Sequence, residues 1–132
     1  MPPALDLISA DTYSDFWPGA TGAQEVTNAK YAYKYFLDKL HPHQRALLVP
    51  GIFACSNTSW FPLAQQEAIM LKKLDGYFHW AQNDSRIAGF NGWHFRNRTQ
   101  PQQAGACDMM LGAVAMPKVV AKLREIGESI VA

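Results

Sequence analysis

The segment SRIAGFNGWHFRNR, residues 85–98, decides the fold of this chain. It follows the turn-forming sequence Asn83-Asp84-Ser85, continues as an apolar run, and ends in a cluster of Asn, Trp, His and Arg. A buried strand that delivers polar groups to a site has this pattern. We therefore predict a strand here, with a functional site at its C-terminal end, and interpret the rest of the chain as its scaffold.

Two further strands are predicted upstream. Leu5–Tyr13 is nearly continuously apolar and turns polar at its C-terminal end. Strand alternation places three of its polar residues on one face: Ser9, Asp11 and Tyr13. Arg45–Ala54 is the other strand, and its internal Pro50-Gly51 predicts an early end or a bulge, because proline cannot donate to a central ladder.

Helical spacing of apolar residues predicts three helices. The first runs from about Gln24 to Leu40, ahead of His41-Pro42-His43, and the second from Pro62 to about Gln82. The third runs from about Met116 to Ile130 with Pro117 in its first turn, and residues 96–110 are predicted to form an irregular loop.

The helix patterns also assign residues to the core and to the solvent. In the second helix, Ala68 belongs to the predicted apolar stripe, whereas Lys72, Lys73 and Asp75 are predicted to face solvent. Aromatic residues at helical spacing are more often core than cofactor contacts. Four are assigned to the core on that ground: Tyr31, Tyr33, Tyr35 and Trp80.

Strands that alternate with helices indicate an α/β fold with right-handed crossovers and a parallel sheet. The three strand–helix units span about 4–41, 45–82 and 86–131, within one domain covering residues 1–132. They form either a small open layer or the last part of a (β/α)8 barrel, since three units cannot close one. Two observations favour a barrel fragment. The strand pattern starts near residue 4, and apolar edge strands would promote aggregation if the three units stood alone. We accordingly predict self-association or a missing barrel half.

Composition and charge exclude several classes of partner. The 132 residues are 48% hydrophobic and 17% charged, as in an ordinary globular domain. A formal charge of +1 gives no electrostatic footprint for nucleic acid. No apolar run approaches the roughly 18 residues of a membrane span, and no signal-peptide pattern is present at the amino terminus.

The cysteines, histidines and sequons are less informative. Cys55 and Cys107 have no neighbours at metal-ligand spacing, and whether they are bonded stays open. The histidines also lack such spacing, so we predict no metal and no cofactor. Three sequons begin at Asn57, Asn83 and Asn97, and they slightly favour an extracellular or secretory location.

The strands resemble the last three of barrel glycoside hydrolases. Leu5–Tyr13 looks like their sixth strand, and Ile87–Phe95 looks like their eighth, where a Trp at the strand end floors a sugar subsite. Ala46–Phe53 then corresponds to the seventh strand. The resemblance implies the C-terminal part, strands six to eight, of a glycoside hydrolase-like TIM barrel with its sugar cleft at the C-terminal strand ends. That cleft would be built from Asp11, Tyr13, Trp17, Asn57, Trp60, Asn91, Trp93 and His94.

Alternation divides the residues of the last strand between two faces. Asn91 and Trp93 share one face, where an amide donor and a stacking platform would meet a ligand. His94 is expected to point the other way, towards the helix layer. For Asp11 a turn acceptor and a sugar ligand are both compatible with the sequence, and Tyr13 either orients a reacting group or covers the rim.

The chain departs from the family pattern where catalysis is concerned. Many retaining relatives carry a nucleophilic Glu at the end of the seventh strand, but residues 51–57 hold no carboxylate. Chitinase-like barrels need none there, because their acidic motif lies on the fourth strand. All four glutamates fall in predicted helices, so Asp11 is the only acid on a predicted strand end, and the catalytic acid and nucleophile are unknown. The chain alone would therefore be inactive. Three interpretations are compatible with this: it is the aromatic and amide side of a hydrolase cleft, a non-catalytic sugar-binding remnant, or a small α/β interaction protein.

Overall fold

The computed structural model describes residues 1–13, 19–56, 61–93, 95–99 and 109–131. These residues form six strands and three α-helices. In chain order they are β1 (Leu7–Thr12), α1 (Ala23–Leu37), β2 (Arg45–Pro50), β3 (Phe53–Cys55), α2 (Leu63–Asn83), β4 (Ile87–Phe90), β5 (Arg98–Thr99), β6 (Met109–Gly112) and α3 (Pro117–Val131).

The main sheet has three parallel strands in the order β1-β2-β4. This confirms the predicted α/β class with parallel strands joined through helices. Strands β1 and β2 pair without a break from Leu7 opposite Arg45 to Thr12 opposite Pro50. Three strands do not close a barrel, so membership of a (β/α)8 barrel stays a prediction.

Helices α1 and α2 cover one face of this sheet. Side chains from both helices and from β2 and β4 form a buried cluster there: Val26, Ala29, Tyr33, Leu37, Ala46, Leu48, Tyr77, Trp80 and Ile87. On the opposite face, Leu7 is 54% exposed and Ser9 and Asp11 are also exposed. The alternation predicted for the first strand is therefore confirmed, and we call this uncovered side the open face.

A second, antiparallel sheet has the order β3-β6-β5, which the sequence did not predict. Pro50 ends β2, as its Pro-Gly pair predicted, but the chain beyond does not continue the same strand. Instead Phe53 pairs with Gly112 and Cys55 with Met110. The expected single strand Arg45–Ala54 and the expected loop over residues 96–110 were therefore wrong in part, because the pairing partner lies far away in the sequence.

The second hydrophobic cluster lies between this sheet, α2 and α3. It comprises Ile52, Ala54, Phe61, Ile69, Met70, Leu74, Ala113, Met116, Val119 and Ile126. Helix α3 begins at Pro117, one residue after the predicted start at about Met116, and the side chain of Glu67 in α2 accepts a hydrogen bond from the Lys118 amide at 2.7 Å. Cys55 is disulfide-bonded, and the only other cysteine, Cys107, lies outside the described residues.

The structure corrects three groups of predicted helix assignments: the tyrosines Tyr31 and Tyr35 of α1, then Ala68, and finally Lys73. Tyr33 and Trp80 are buried as expected, but Tyr31 and Tyr35 are more than 60% exposed. They lie two residues on either side of Tyr33, roughly 200° around the helix, and therefore face away from the sheet. Ala68 is likewise exposed rather than buried.

The third correction concerns Lys73, which was expected in solvent but is only 1% exposed. Its neighbour Lys72 is exposed as predicted. None of the helices formed by the described residues is long and apolar enough to cross a membrane.

An ion-pair network lies at the start of β4. The Arg86 guanidinium contacts Asp84 at 2.8 Å and Asp38 at 2.7 Å. The Asp84 carboxylate also accepts a hydrogen bond from the Arg86 backbone amide. The hydrogen bonds from Arg86 lower the pKa of Asp84 below its ordinary value of 3.8. Its carboxylate therefore stabilises the fold above that value, and the contribution is lost as the pH falls through the lower, folded-state pKa.

We expect Asp84→Asn to lower the free energy of unfolding by about 0.5–1 kcal/mol at pH 7, the range of partly exposed pairs. The difference from the parent protein should shrink as the pH falls below 3.8. Chemical denaturation at a series of pH values measures it. Asp38→Asn is the matched control on the same arginine and should cost less, because the Asp38 side chain is 73% exposed. A penalty for Asp84→Asn that is the same at pH 3 and pH 7 would contradict this explanation.

Candidate functional site

The C-terminal ends of the three parallel strands converge on Gly51. Tyr13 follows β1, Gly51 follows β2, and Trp93 lies just beyond β4 and forms a parallel bridge with Gly51. The Trp93 amide donates to the carbonyl of Pro50 at 2.9 Å, and the Ile52 amide donates to the carbonyl of Trp93. Backbone pairing thus continues past the regular strands and fixes where the Trp93 side chain emerges.

Three aromatic rings surround this point, and we call Tyr13, Phe53 and Trp93 the aromatic triad. The rings of Tyr13 and Trp93 are stacked, with centroids 5.2 Å apart and planes 22° from parallel. Phe53 meets both edge-on, at 6.0 Å from Tyr13 and 5.7 Å from Trp93. A Cβ atom on Gly51 would lie only 2.8 Å from the Tyr13 ring, so this packing requires glycine.

A bulge in β4 determines which of its residues reach this end of the open face. Ile87 pairs with Ala46 but Gly89 pairs with the next residue, Leu47, so one extra residue, Ala88, is inserted. Phe90 consequently packs into the core, as Ile87 does. Asn91 follows it and is exposed, while its amide donates to the Leu48 carbonyl at 2.9 Å.

The Tyr13 hydroxyl is buried and has no hydrogen-bond partner among the described residues. Burial raises the pKa of Tyr13 above its ordinary value, and the nearby Asp11 carboxylate raises it further, first because it attracts the phenol's hydrogen and then because its negative charge opposes a phenolate. The hydroxyl therefore stays protonated at neutral pH and has a hydrogen to donate. A buried hydroxyl without a partner costs about 1–3 kcal/mol, so this hydroxyl destabilises the packed triad.

A buried ion pair lies beneath the triad. Glu25 in the first turn of α1 and Lys73 in α2 are 0% and 1% exposed, and their side chains meet at 2.7 Å. Glu25 accepts a hydrogen bond from the Gly51 amide at 3.0 Å, and Lys73 donates to the Gly51 carbonyl at 3.3 Å. The Glu25–Lys73 pair therefore contacts both polar groups of the residue on which the strand ends converge.

Two hydroxyls continue this network towards β1. The Tyr77 hydroxyl lies 3.5 Å from the Glu25 carboxylate and 3.2 Å from the Thr12 hydroxyl. Burial raises the pKa of Tyr77, and the charge of Glu25 acts in the same direction. Glu25, Lys73 and Tyr77 are buried and Thr12 is half-buried, so the network joins the backbone of Gly51 to the end of β1.

The structure brings together part of the predicted site. Asp11, Tyr13, Asn91 and Trp93 lie at one end of the main sheet, and Trp93 contacts Tyr13 directly. Trp17, Asn57, Trp60 and His94 lie outside the described residues. Phe53 and the Glu25–Lys73 pair were not predicted as parts of the site.

Two carboxylates belong to the described site, and they lie in different environments. Asp11 is exposed on the open face, whereas Glu25 is fully buried and already paired. The residues described contain no group of three His, Cys, Asp or Glu side chains that could hold a metal ion. Comparison of the chain with family models, with curated proteins and with solved structures gave no match.

Proposed function

We propose that this chain is the C-terminal part of a glycoside hydrolase-like barrel and supplies the aromatic and amide side of its sugar cleft. The observation that carries the proposal is the stacked pair Tyr13–Trp93 at the C-terminal ends of parallel strands. In barrel enzymes this end of the strands holds the active site. A half-buried tryptophan there offers an apolar surface together with a polar N–H.

The polar groups around the triad suit a ligand rich in hydroxyls. The exposed Asp11 carboxylate, beside the buried Tyr13 hydroxyl, is an acceptor. Asn91 adds an exposed amide just after the end of β4. A sugar hydroxyl donates and accepts at once, so it can donate to the Asp11 carboxylate and accept from the Asn91 amide.

The missing part of the machinery is the second acid. Glycoside hydrolysis commonly uses two carboxyl groups, one on each side of the scissile bond. Among the described residues at the C-terminal strand ends, Asp11 is the one exposed carboxylate. The general acid and the nucleophile would then lie on barrel strands outside this chain, and those strands would cover the open face. The exposed Leu7 on that face supports a covering partner of this kind. A non-catalytic sugar-binding remnant is the second candidate, favoured by the same shortage of carboxylates.

The test is a titration of the full chain with cellopentaose and with chitopentaose. Binding is detected through the Trp93 indole signal in proton–nitrogen NMR spectra. We expect the indole signal to shift, and Trp93→Ala to weaken binding by about tenfold or more, the equivalent of one lost aromatic contact. Tyr35→Ala is the matched control, because it removes an exposed aromatic ring from the outer surface of α1. It should bind as the parent does.

A second variant separates ligand recognition from packing. Tyr13→Phe keeps the stacked ring but removes a hydroxyl that is buried beneath the surface, so it should bind saccharide as the parent does while unfolding at a higher temperature. No indole shift with either saccharide at millimolar concentration would contradict a sugar-binding function and favour a small interaction protein. Binding without turnover is expected of this chain under both candidates, and hydrolysis by the chain alone would contradict both.

A further inference from the structure

We infer that Glu25 and Lys73 are positioning residues, which set the geometry of the aromatic triad through the backbone of Gly51. This role deepens the proposed function and rests on it, since the triad is the proposed sugar-binding surface. The contacts of Glu25 and Lys73 with Gly51 are present whether or not the triad binds sugar. Neither side chain reaches the surface, so neither touches a ligand.

The strand pairing explains why Gly51 needs these partners. On its β4 side, the extension of β2 is paired through the Pro50 carbonyl and the Ile52 amide, which both bond to Trp93. The amide and carbonyl of Gly51 itself point the other way, where β1 would have to continue. Strand β1 ends with Thr12 opposite Pro50, one residue too early. Glu25 and Lys73 provide the acceptor and the donor that a longer β1 would otherwise provide.

The position of Gly51 in turn fixes two rings. Trp93 is tied to it by the parallel bridge, and the Tyr13 ring packs so closely over it that an added Cβ would lie 2.8 Å away. A shift of the Gly51 peptide therefore moves both members of the stack. If the buried pair only joined α1 to α2, the stack would not depend on it.

The experiment measures the stack itself, without any ligand. The contribution of Trp93 to the near-ultraviolet circular dichroism is the difference between each protein and the same protein carrying Trp93→Phe. We expect Lys73→Met, which removes the bond to the Gly51 carbonyl, to lose at least half of this contribution while the far-ultraviolet spectrum stays that of a folded protein. Glu67→Gln is the matched control: it alters another buried charged residue of α2, one that caps α3, and should leave the Trp93 contribution unchanged.

A further variant covers the case in which Lys73→Met does not fold. The double substitution Glu25→Gln and Lys73→Met removes both buried charges, and such replacements are commonly tolerated. It keeps an acceptor for the Gly51 amide but not the donor to its carbonyl, so it should lose part of the Trp93 contribution. A folded Lys73→Met or double variant with the full Trp93 contribution overturns the inference.

The outcome is distinguishable from that of the proposed function. Loss of the Trp93 contribution in a protein whose parent binds neither pentasaccharide would support the positioning role and contradict sugar binding. Conversely, a parent that binds chitopentaose and a Lys73→Met variant that keeps both the affinity and the Trp93 contribution would leave sugar binding intact and contradict the positioning role.

Discussion

Lys73→Met lowers the free energy of unfolding by about 3–5 kcal/mol, because it leaves the Glu25 carboxylate buried without its cation. Glu25 is 0% exposed, and its carboxylate lies 2.7 Å from the Lys73 ammonium. The variant also leaves the Gly51 carbonyl without a donor that it has in the parent. Denaturant unfolding followed by far-ultraviolet circular dichroism measures the loss as a lower transition midpoint.

Two controls make this prediction specific. Lys72→Met changes the neighbouring lysine, which is exposed, and should alter stability by no more than about 0.5 kcal/mol. The double variant with Glu25→Gln should recover a large part of the loss, since no unpaired charge remains in the interior. Equal midpoints for Lys73→Met and Lys72→Met would show that the buried pair does not stabilise the fold.

Gly22→Ala should lower the free energy of unfolding by about 2–4 kcal/mol, from backbone strain and overpacking together. Gly22 precedes α1 with a φ of 81°, in the left-handed region that L side chains avoid. A Cβ atom there would also lie 2.6 Å from the Ile69 carbonyl oxygen, a backbone atom of α2 that cannot rotate away. The substitution therefore has to separate the start of α1 from α2.

The control for Gly22 is another glycine in this chain. Gly127 lies inside α3 with no atom within 4 Å of an added Cβ. Gly127→Ala should stabilise the protein by about 0.5–1 kcal/mol, because alanine has the higher helix propensity. Thermal unfolding of both variants gives the comparison. A midpoint for Gly22→Ala at or above that of the parent would contradict the described packing of α1 on α2.

The regular elements were predictable from local patterns. Alternation in Leu5–Tyr13 and helical spacing in the first and third helices gave the correct element types, with ends within about three residues. These signals are local, because burial of one face imposes its period on the sequence. The antiparallel pairing of β3 with β6 leaves no such signal, since its strands are short and its partners are distant in the chain.

The candidate site was predictable only where residues follow strand ends. Asp11, Tyr13, Asn91 and Trp93 could be assigned to one end of a parallel sheet from topology alone. The burial of Lys73 could not, because Lys72 and Lys73 are identical in type and adjacent in sequence. Which of them turns inward depends on Glu25, which is 48 residues away. A Glu in the first turn of one helix and a pair of lysines in the next is too common a pattern to identify such a pair.

The order of the strands has a consequence for how the protein forms during synthesis. Each parallel strand pairs with one that has already left the ribosome, β2 with β1 and β4 with β2, so the main sheet can grow in the direction of translation. Strand β3 has to wait for β6, whose residues 109–112 are made much later. Phe53 belongs to β3, so the third ring of the aromatic triad is held in place only after residue 112 has been made.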